Sequence, residues 1–264
     1  MTPATWSEDE TLRLWNLSGV AAGEPLRVSA TGVLQLSDGR ILSWSRGTLR
    51  LWHLNGQSAG APMLHDRILP AWGDGISGAV QLEGGRILSW TPWTLRMWRS
   101  DGEPASEPVK SVDGRLRGAL QLHDGRILSW QGDTLRIWHL DGQPDCDPLH
   151  KHTRAVRGAL QLSDDRILSW GDDRTLRTWH PDGRSAGEVL RNHTHKLRGA
   201  MQRRDGQVLS WSDDGTVLFW NPGLTRVQAV IRIDATILDV RDNVVIALAA
   251  GRPVIYDLKL QTET

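Results

Sequence analysis

One line of sequence recurs along this chain. RGALQLHDGRILSWQGDTLRIWHLDG at 117–142 returns as RGALQLSDDRILSWGDDRTLRTWHPDG at 157–183, with weaker copies on both sides. Two anchors set the period. The first, T-L-R-x-Trp, ends at Trp15, Trp52, Trp98, Trp138 and Trp179, continues as TVLFW ending at Trp220, and degenerates to PVIYD with Tyr256. The steps between these aromatics are 37, 46, 40, 41, 41 and 36 residues. The second anchor, ILSW or VLSW, ends at Trp44, Trp90, Trp130, Trp170 and Trp211, with Trp6 and Ala247 at the outer equivalents. Of 14 tryptophans, Trp72 and Trp93 alone fall outside both anchors. A period near 40 residues means a repeat architecture, so the question becomes what one unit folds into.

Inside each unit the patterning has period two. LRGALQL, RILSW and TLRIW alternate apolar with small or polar side chains over five to seven residues, which is strand spacing. Hairpin turns separate the first run from the second at Asp38-Gly39, Asp124-Gly125, Asp164-Asp165 and Asp205-Gly206. Polar turns such as Gly132-Asp133 separate the second from the third. A fourth extended segment of the form DGQPxxxPL follows, and its prolines suit an edge strand, where no ladder donor is missed. Four antiparallel strands per unit at this period describe a blade of a β-propeller, so the expected fold is all-β and a single domain over 1–264.

The bulk properties exclude several classes. Lys plus Arg and Asp plus Glu are 31 each, so no global field favours nucleic acid or an anionic membrane. The lone Cys146 excludes an internal disulfide framework and a cysteine-based zinc cluster. No apolar run approaches the length of a membrane span. The expected setting is a soluble, cytoplasmic one.

The unit resembles the WD repeat. His152-Thr153 and His193-Thr194 stand where that family's Gly-His-Thr opens a repeat, and SWSDDGTVLFW at 210–220 matches its second and third strands. The letters depart elsewhere. The closing Trp-Asp is mostly Trp-His, Trp-Asn or Trp-Arg here, and the small residue after the second-strand serine is Trp in every ILSW copy, an indole expected to fill the wedge between blades. The resemblance implies that His152, Ser169, Asp173 and Trp179, and likewise His193, Ser210, Asp214 and Trp220, form structural tetrads that pin the outer loop to the second and third strands. A catalytic Ser-His-Asp reading competes with this one, but a hydrolase needs a single exposed nucleophile and an oxyanion hole rather than a repeated buried set. In the other units the His is missing, so apolar packing has to carry them. His150 with His152, and His193 with His195, give two ligands each without supporting Cys or carboxylate, too few for zinc. No phosphate-loop, dinucleotide, zincin or nucleophile-elbow string is present, and no cofactor is expected.

Function is then sought on the faces. Carried over from the family's geometry, the positions flanking the first apolar residue of strand one point onto one flat face. They are Arg115 and Arg117, then Ala155 and Arg157, then Lys196 and Arg198, a basic arc that stops at Gly75 and Ser77 in the third unit. Either each arginine pairs with an acid such as Asp172 or Asp213, or the arc is open to a carboxylate or phosphate guest. Trp72 lies in the insertion LHDRILPAWGDGIS and Trp93 in the turn of SWTPWTLRMW, both beside the end of the arc. Exposed indoles beside arginines are the composition of a binding hot spot; the alternative is that Trp72 caps a gap beneath its loop with Trp93 as lid.

The ends of the array are unequal. Before Trp15 the first strand and most of the second are absent, and after Tyr256 there is room for one strand. The expectation is seven blades with an incomplete or shared first one, or else six complete blades and an extra strand. The missing strands would come from a longer parent polypeptide or from a partner by strand addition. The functional expectation is a non-enzymatic interaction scaffold or recognition propeller that binds a protein or peptide, acidic or phosphorylated ones included, through Trp72, Trp93, Arg115, Arg117, Arg157, Lys196 and Arg198. A glycan-binding propeller is the rival reading, with nucleic-acid-binding and hydrolytic propellers behind it.

Overall fold

The computed structural model describes residues 4–6, 11–14, 26–27, 30–65, 75–111, 114–241 and 244–258. Among them every extended run becomes a strand, and the strands form seven successive antiparallel sheets. Sheet one has β1 (Ala4–Trp6), β2 (Thr11–Leu14) and β3 (Leu26–Arg27). Sheet two has β4 (Gly32–Gln35), β5 (Ile41–Ser45), β6 (Thr48–Trp52) and β7 (Met63–Leu64). Sheet three has β8 (Gly78–Gln81), β9 (Ile87–Trp90), β10 (Thr94–Trp98) and β11 (Val109–Lys110). Sheet four follows with β12 (Leu116–Gln121), β13 (Ile127–Gln131), β14 (Thr134–Trp138) and β15 (Leu149–His150). Sheet five has β16 (Val156–Gln161), β17 (Ile167–Gly171) and β18 (Leu176–Trp179). Sheet six has β19 (Leu197–Gln202), β20 (Val208–Ser212), β21 (Thr216–Trp220) and β22 (Val227–Arg232). Sheet seven has β23 (Thr236–Arg241), β24 (Val244–Ala249) and β25 (Arg252–Asp257). Strand order within each sheet is sequential, as short hairpin connections require.

By contacts the chain divides into two compact units, the first comprising 1–121, 125–127 and 138–143, the second 122–124, 128–137 and 144–264. In the first, Leu42, Leu49 and Leu51 of sheet two pack with Ile87 and Trp98 of sheet three, and Leu88, Leu95 and Met97 pack with Leu116, Ala119 and Trp138. In the second, Leu168, Trp170 and Leu176 pack with Leu197, Val208 and Trp220 of sheet six, whose Leu209, Trp211 and Phe219 pack with Ile237, Val245 and Ala247 of sheet seven. Within each unit, sheets two to four and sheets five to seven therefore bury residues against their neighbours in sequence. The second strand shows this most plainly: Ile41 and Leu42, Ile87 and Leu88, and Ile167 and Leu168 are all fully buried although adjacent side chains face opposite ways. Strand two is covered on both faces, which is why it reads ILSW rather than as a strict alternation. Each such residue contributes about 1.5–3 kcal/mol of burial.

The indole after the second-strand serine has a partner the strand pattern alone does not announce. Gly32, Gly78, Gly158 and Gly199 lie directly across from Trp44, Trp90, Trp170 and Trp211. A Cβ on any of these glycines would sit 2.1–2.4 Å from the indole, so the ring lies across the bare backbone of strand one and a side chain there is excluded. A second device repeats along each unit. The backbone N–H of Ser37 donates to Gln81 Oε1 and that of Glu83 to Gln121 Oε1, both at 2.7 Å; the N–H of His123 donates to Gln161 Oε1 at 2.6 Å and that of Ser163 to Gln202 Oε1 at 2.8 Å. The glutamine of ALQL and its variants thus ties the first strands of sheets three to six to the hairpin of the preceding sheet.

The fourth segments differ as their composition dictates. In sheets two and three they touch strand three as an isolated bridge, Trp52 with Ser58 and Trp98 with Pro104, leave it across AGAP and PASEP, and return as two-residue strands. VQAVIR, free of Pro and Gly, forms β22 and pairs along all of β21.

Candidate functional site

Two polar networks stand out in the second unit. His152 follows β15, Ser169 lies in β17, Asp173 in the β17–β18 turn, and Trp179 closes β18. Trp179 Nε1 donates to Ser169 Oγ at 2.9 Å, His152 Nε2 is 2.8 Å from the same Oγ, and His152 Nδ1 is 2.9 Å from Asp173 Oδ2. In sheet six the same relay runs Trp220 to Ser210 at 2.9 Å, Ser210 to His193 at 2.9 Å, and His193 to Asp214 at 3.1 Å. An indole N–H can only donate, so the serine hydroxyl passes its own proton to Nε2, and the neutral imidazole donates Nδ1–H to the carboxylate. Every member is satisfied and the chain of bonds points one way.

Electrostatics agree with that assignment. Burial pushes the His193 imidazole below its usual value, against the opposing pull of Asp214. Burial alone would raise the Asp173 carboxyl, but hydrogen bonds from His152, the Thr153 N–H and Thr175 hold it well below the usual carboxylate range. Asp214 is held at about 2 against its own burial, chiefly by Thr216, with the Thr194 N–H and the His193 side chain adding to it. Ser169 and Ser210 are fully buried. A hydroxyl in that position, already bound by an indole, has no path to a substrate.

Sheet three holds a variant of this network that sequence reasoning missed. His65, fully buried directly after β7, has Nε2 3.2 Å from the Ser89 carbonyl and Nδ1 3.3 Å from Thr94 Oγ1, while Trp98 Nε1 donates to Ser89 Oγ at 2.8 Å. Thr91 Oγ1, 2.8 Å from Thr94 Oγ1, occupies the turn in place of the aspartate. The expectation that this sheet leans on apolar packing alone is corrected: a histidine is present, but without the Gly-His-Thr context or the aspartate that would have signalled it.

The arc residues separate into two situations. In the second unit Arg157 binds Asp172 through two parallel bonds, Nε to Oδ1 at 2.7 Å and Nη2 to Oδ2 at 2.8 Å. Arg198 pairs with Asp213, and Lys196 Nζ lies 3.6 Å from the same carboxylate. Asp213 also acts on Arg157, so acids and bases alternate there instead of presenting one sign. The Arg198–Asp213 pair lines a groove of about 570 Å³ between sheets six and seven. In the first unit Arg115 and Arg117 are exposed at the start of β12, and Arg117 makes no ion pair among the described residues. The sequence position filled by Asp172 and Asp213 in later repeats is Gly132 in this one.

Trp93 sits in the β9–β10 turn with 44% of its surface exposed. Its carbonyl accepts the Ser111 N–H at 2.7 Å, and the Pro92 carbonyl accepts the Leu116 N–H at 2.7 Å. These bonds tie the turn to the loop carrying Arg115 and Arg117, so the exposed indole and the two arginines share one edge of the first unit. Trp72 lies outside the described residues.

No protein-family model and no curated protein matches the chain in sequence. In structure, 1440 chains match. One is the computationally designed Ika8 protein, with a TM-score of 0.72 and 21% identity, over 97% of this chain and 83% of that one. The likeness is one of fold: an all-β array of repeated antiparallel sheets. Among the described residues no helix is long and apolar enough to cross a membrane.

Proposed function

We propose that the chain is a WD-type β-propeller of seven blades, the first incomplete or shared, that acts as a non-enzymatic interaction platform. Its loop face binds an acidic or phosphorylated peptide at the edge formed by Trp93, Arg115 and Arg117. The observation that carries this reading is the contrast in how the repeats use the same positions. In sheets five and six the residue after the second strand is an aspartate that occupies its arginine; beside the third sheet the corresponding turn carries an exposed indole, and Arg117 has no acid. An indole supplies apolar contact area at small entropic cost, and a guanidinium fork recognises carboxylate or phosphate bidentately. The repeated Ser-His-Asp sets support a non-enzymatic role, because burial removes them from any substrate.

The test is binding to an array of acidic and phosphorylated peptides by wild-type protein and by Trp93→Ala and Arg117→Glu variants, each checked for folding by melting. Retained wild-type binding that both variants lose supports the edge as the recognition surface. Binding untouched by either substitution, or absent across the array, overturns it.

A further inference from the structure

The third strand of five repeats places an arginine two residues before its closing tryptophan: Arg13, Arg50, Arg96, Arg136 and Arg177, where the sixth repeat has Leu218. Arg96 shows what a purely structural use looks like. Its Nη1 donates to the carbonyls of Leu64 and His65, at 3.2 and 2.5 Å, and its guanidinium lies 4.7 Å from the centre of the Trp98 ring. Arg177 has none of this. Its Nε is buried without a hydrogen-bond partner, as that of Arg96 is, but its terminal nitrogens find no acceptor either, and the side chain makes no ion pair.

Charges of both signs act on Arg177, from Asp173 and from Arg191. The bridge between Leu176 and Leu190 sets Arg191 across from Thr175, so Arg191 and Arg177 are diagonal neighbours on one face of sheet five. Burial lowers the proton affinity of Arg177 most; the charge of Asp173 opposes it, and the charge of Arg191 adds a smaller lowering. Asp173 is already committed to His152, the Thr153 N–H and Thr175. Arg191 is exposed and makes no hydrogen bond or ion pair through its side chain.

A third arginine is placed at a backbone cost. Arg174, in the β17–β18 turn, adopts φ 65°, a left-handed conformation that the equivalent turn of sheet six gives to Gly215 at φ 73°. A residue with a side chain there costs about 1 kcal/mol relative to glycine. Its Nη1 donates to the Thr194 carbonyl at 3.2 Å, in the loop that follows Arg191. None of the three arginines has a carboxylate within ion-pair distance among the described residues.

We propose that Arg174, Arg177 and Arg191 form an anion site for a phosphate group at the loop end of sheet five. A phosphate dianion accepts several charge-assisted hydrogen bonds at once, and guanidinium forks are its natural complement. Arg177 lies at the base, partly buried and short of an acceptor, and Arg174 and Arg191 stand exposed at the rim. The site is independent of the Trp93 edge and rests on different residues.

The experiment is a titration of the full chain with inorganic phosphate, with a phosphoserine peptide and with its unphosphorylated twin, read by calorimetry and by the shift in melting temperature. Both phosphate ligands bind and the unphosphorylated peptide does not. Arg191→Gln, an exposed change that leaves the fold untouched, and Arg177→Gln each weaken binding about tenfold or more, whereas Arg184→Gln, at an exposed pair with Asp182, changes nothing. A phosphopeptide that binds much more tightly than inorganic phosphate assigns the site to phosphorylated protein; equal affinities assign it to small phosphates. No binding of phosphate at millimolar concentration, or binding that both variants retain, overturns the proposal.

Discussion

Sheets two and three, in the first unit, and sheets five and six, in the second, are written in the same line of sequence but fix their loops by different means. Both regions keep the tryptophan-to-serine bond, from Trp52 to Ser43 and Trp98 to Ser89 in one, from Trp179 to Ser169 and Trp220 to Ser210 in the other. Both lay an indole across a strand-one glycine. The second region adds a histidine and an aspartate that carry the relay out to the loop. Sheet three stops at His65 and two threonines, and the position released by the aspartate belongs to Pro92 and Trp93. The shared pair of contacts is thus common to all four of these sheets, and the His–Asp extension is what sheet three gives up where its turn becomes a surface.

If that division is right, damage to the shared part costs the same in both regions. Gly199→Val and Gly32→Val each put a side chain into an indole and destabilise by about 3 kcal/mol or more, measured by urea unfolding. Adding Trp211→Ala to Gly199→Val recovers part of the loss, because the clash is pairwise. A large cost at one glycine and none at the other breaks the comparison.

The extension gives the next largest effect, and only where it exists. His193→Ala strands the Ser210 hydroxyl and removes the imidazole donor from a nearly buried carboxylate, about 3 kcal/mol; His65→Ala, whose partners are neutral, costs about 2. Acid sharpens the same contrast. The folded His193 imidazole is held below its usual 6.5, so its contribution is complete above that value and is lost as pH falls through the lower folded value. Asp214, held at about 2 against a usual 3.8, adds a second loss between those values. Urea midpoints against pH therefore fall in two steps, and His193→Gln removes the upper one.

How much of this was legible depended on whether a contact leaves a period in the sequence. Strand order, hairpins and the tryptophans that close the third strands from Trp52 to Trp220 follow from spacing alone, and His152 and His193 were visible because a threonine follows each. His65 was not, because its network replaced the aspartate with Thr91 and Thr94, and a histidine ahead of an insertion carries no periodic mark. The glycine–indole pairs were hidden for another reason: Gly158 and Trp170 lie on different strands, and alternation reports which face a residue takes, not what lies across from it. The basic arc was drawn from one strand at a time. That acids such as Asp172 and Asp213 would neutralise it was legible as the alternative; which arginine each takes was not, because the acids lie in the turns after β17 and β20, where the fold brings them against Arg157 and Arg198.

Those surface pairs give the smallest stability effect and the finest test of the contrast. Arg157 and Asp172 are partly exposed, and such pairs contribute about 1 kcal/mol or less. Asp172→Ala should therefore move the urea midpoint little, and since Asp213 also acts on Arg157, an Asp172→Ala/Asp213→Ala variant is needed to release Arg157 and Arg198 fully. That variant gives the second unit the condition Arg117 has naturally in the first. Affinity for an acidic peptide rises about tenfold, with a steeper loss on adding salt, if unpaired arginines on strand one are what the loop face uses for recognition. Unchanged affinity with unchanged stability would mean that the indole at Trp93, which the second unit lacks, decides binding, and that the arginines only keep the face soluble.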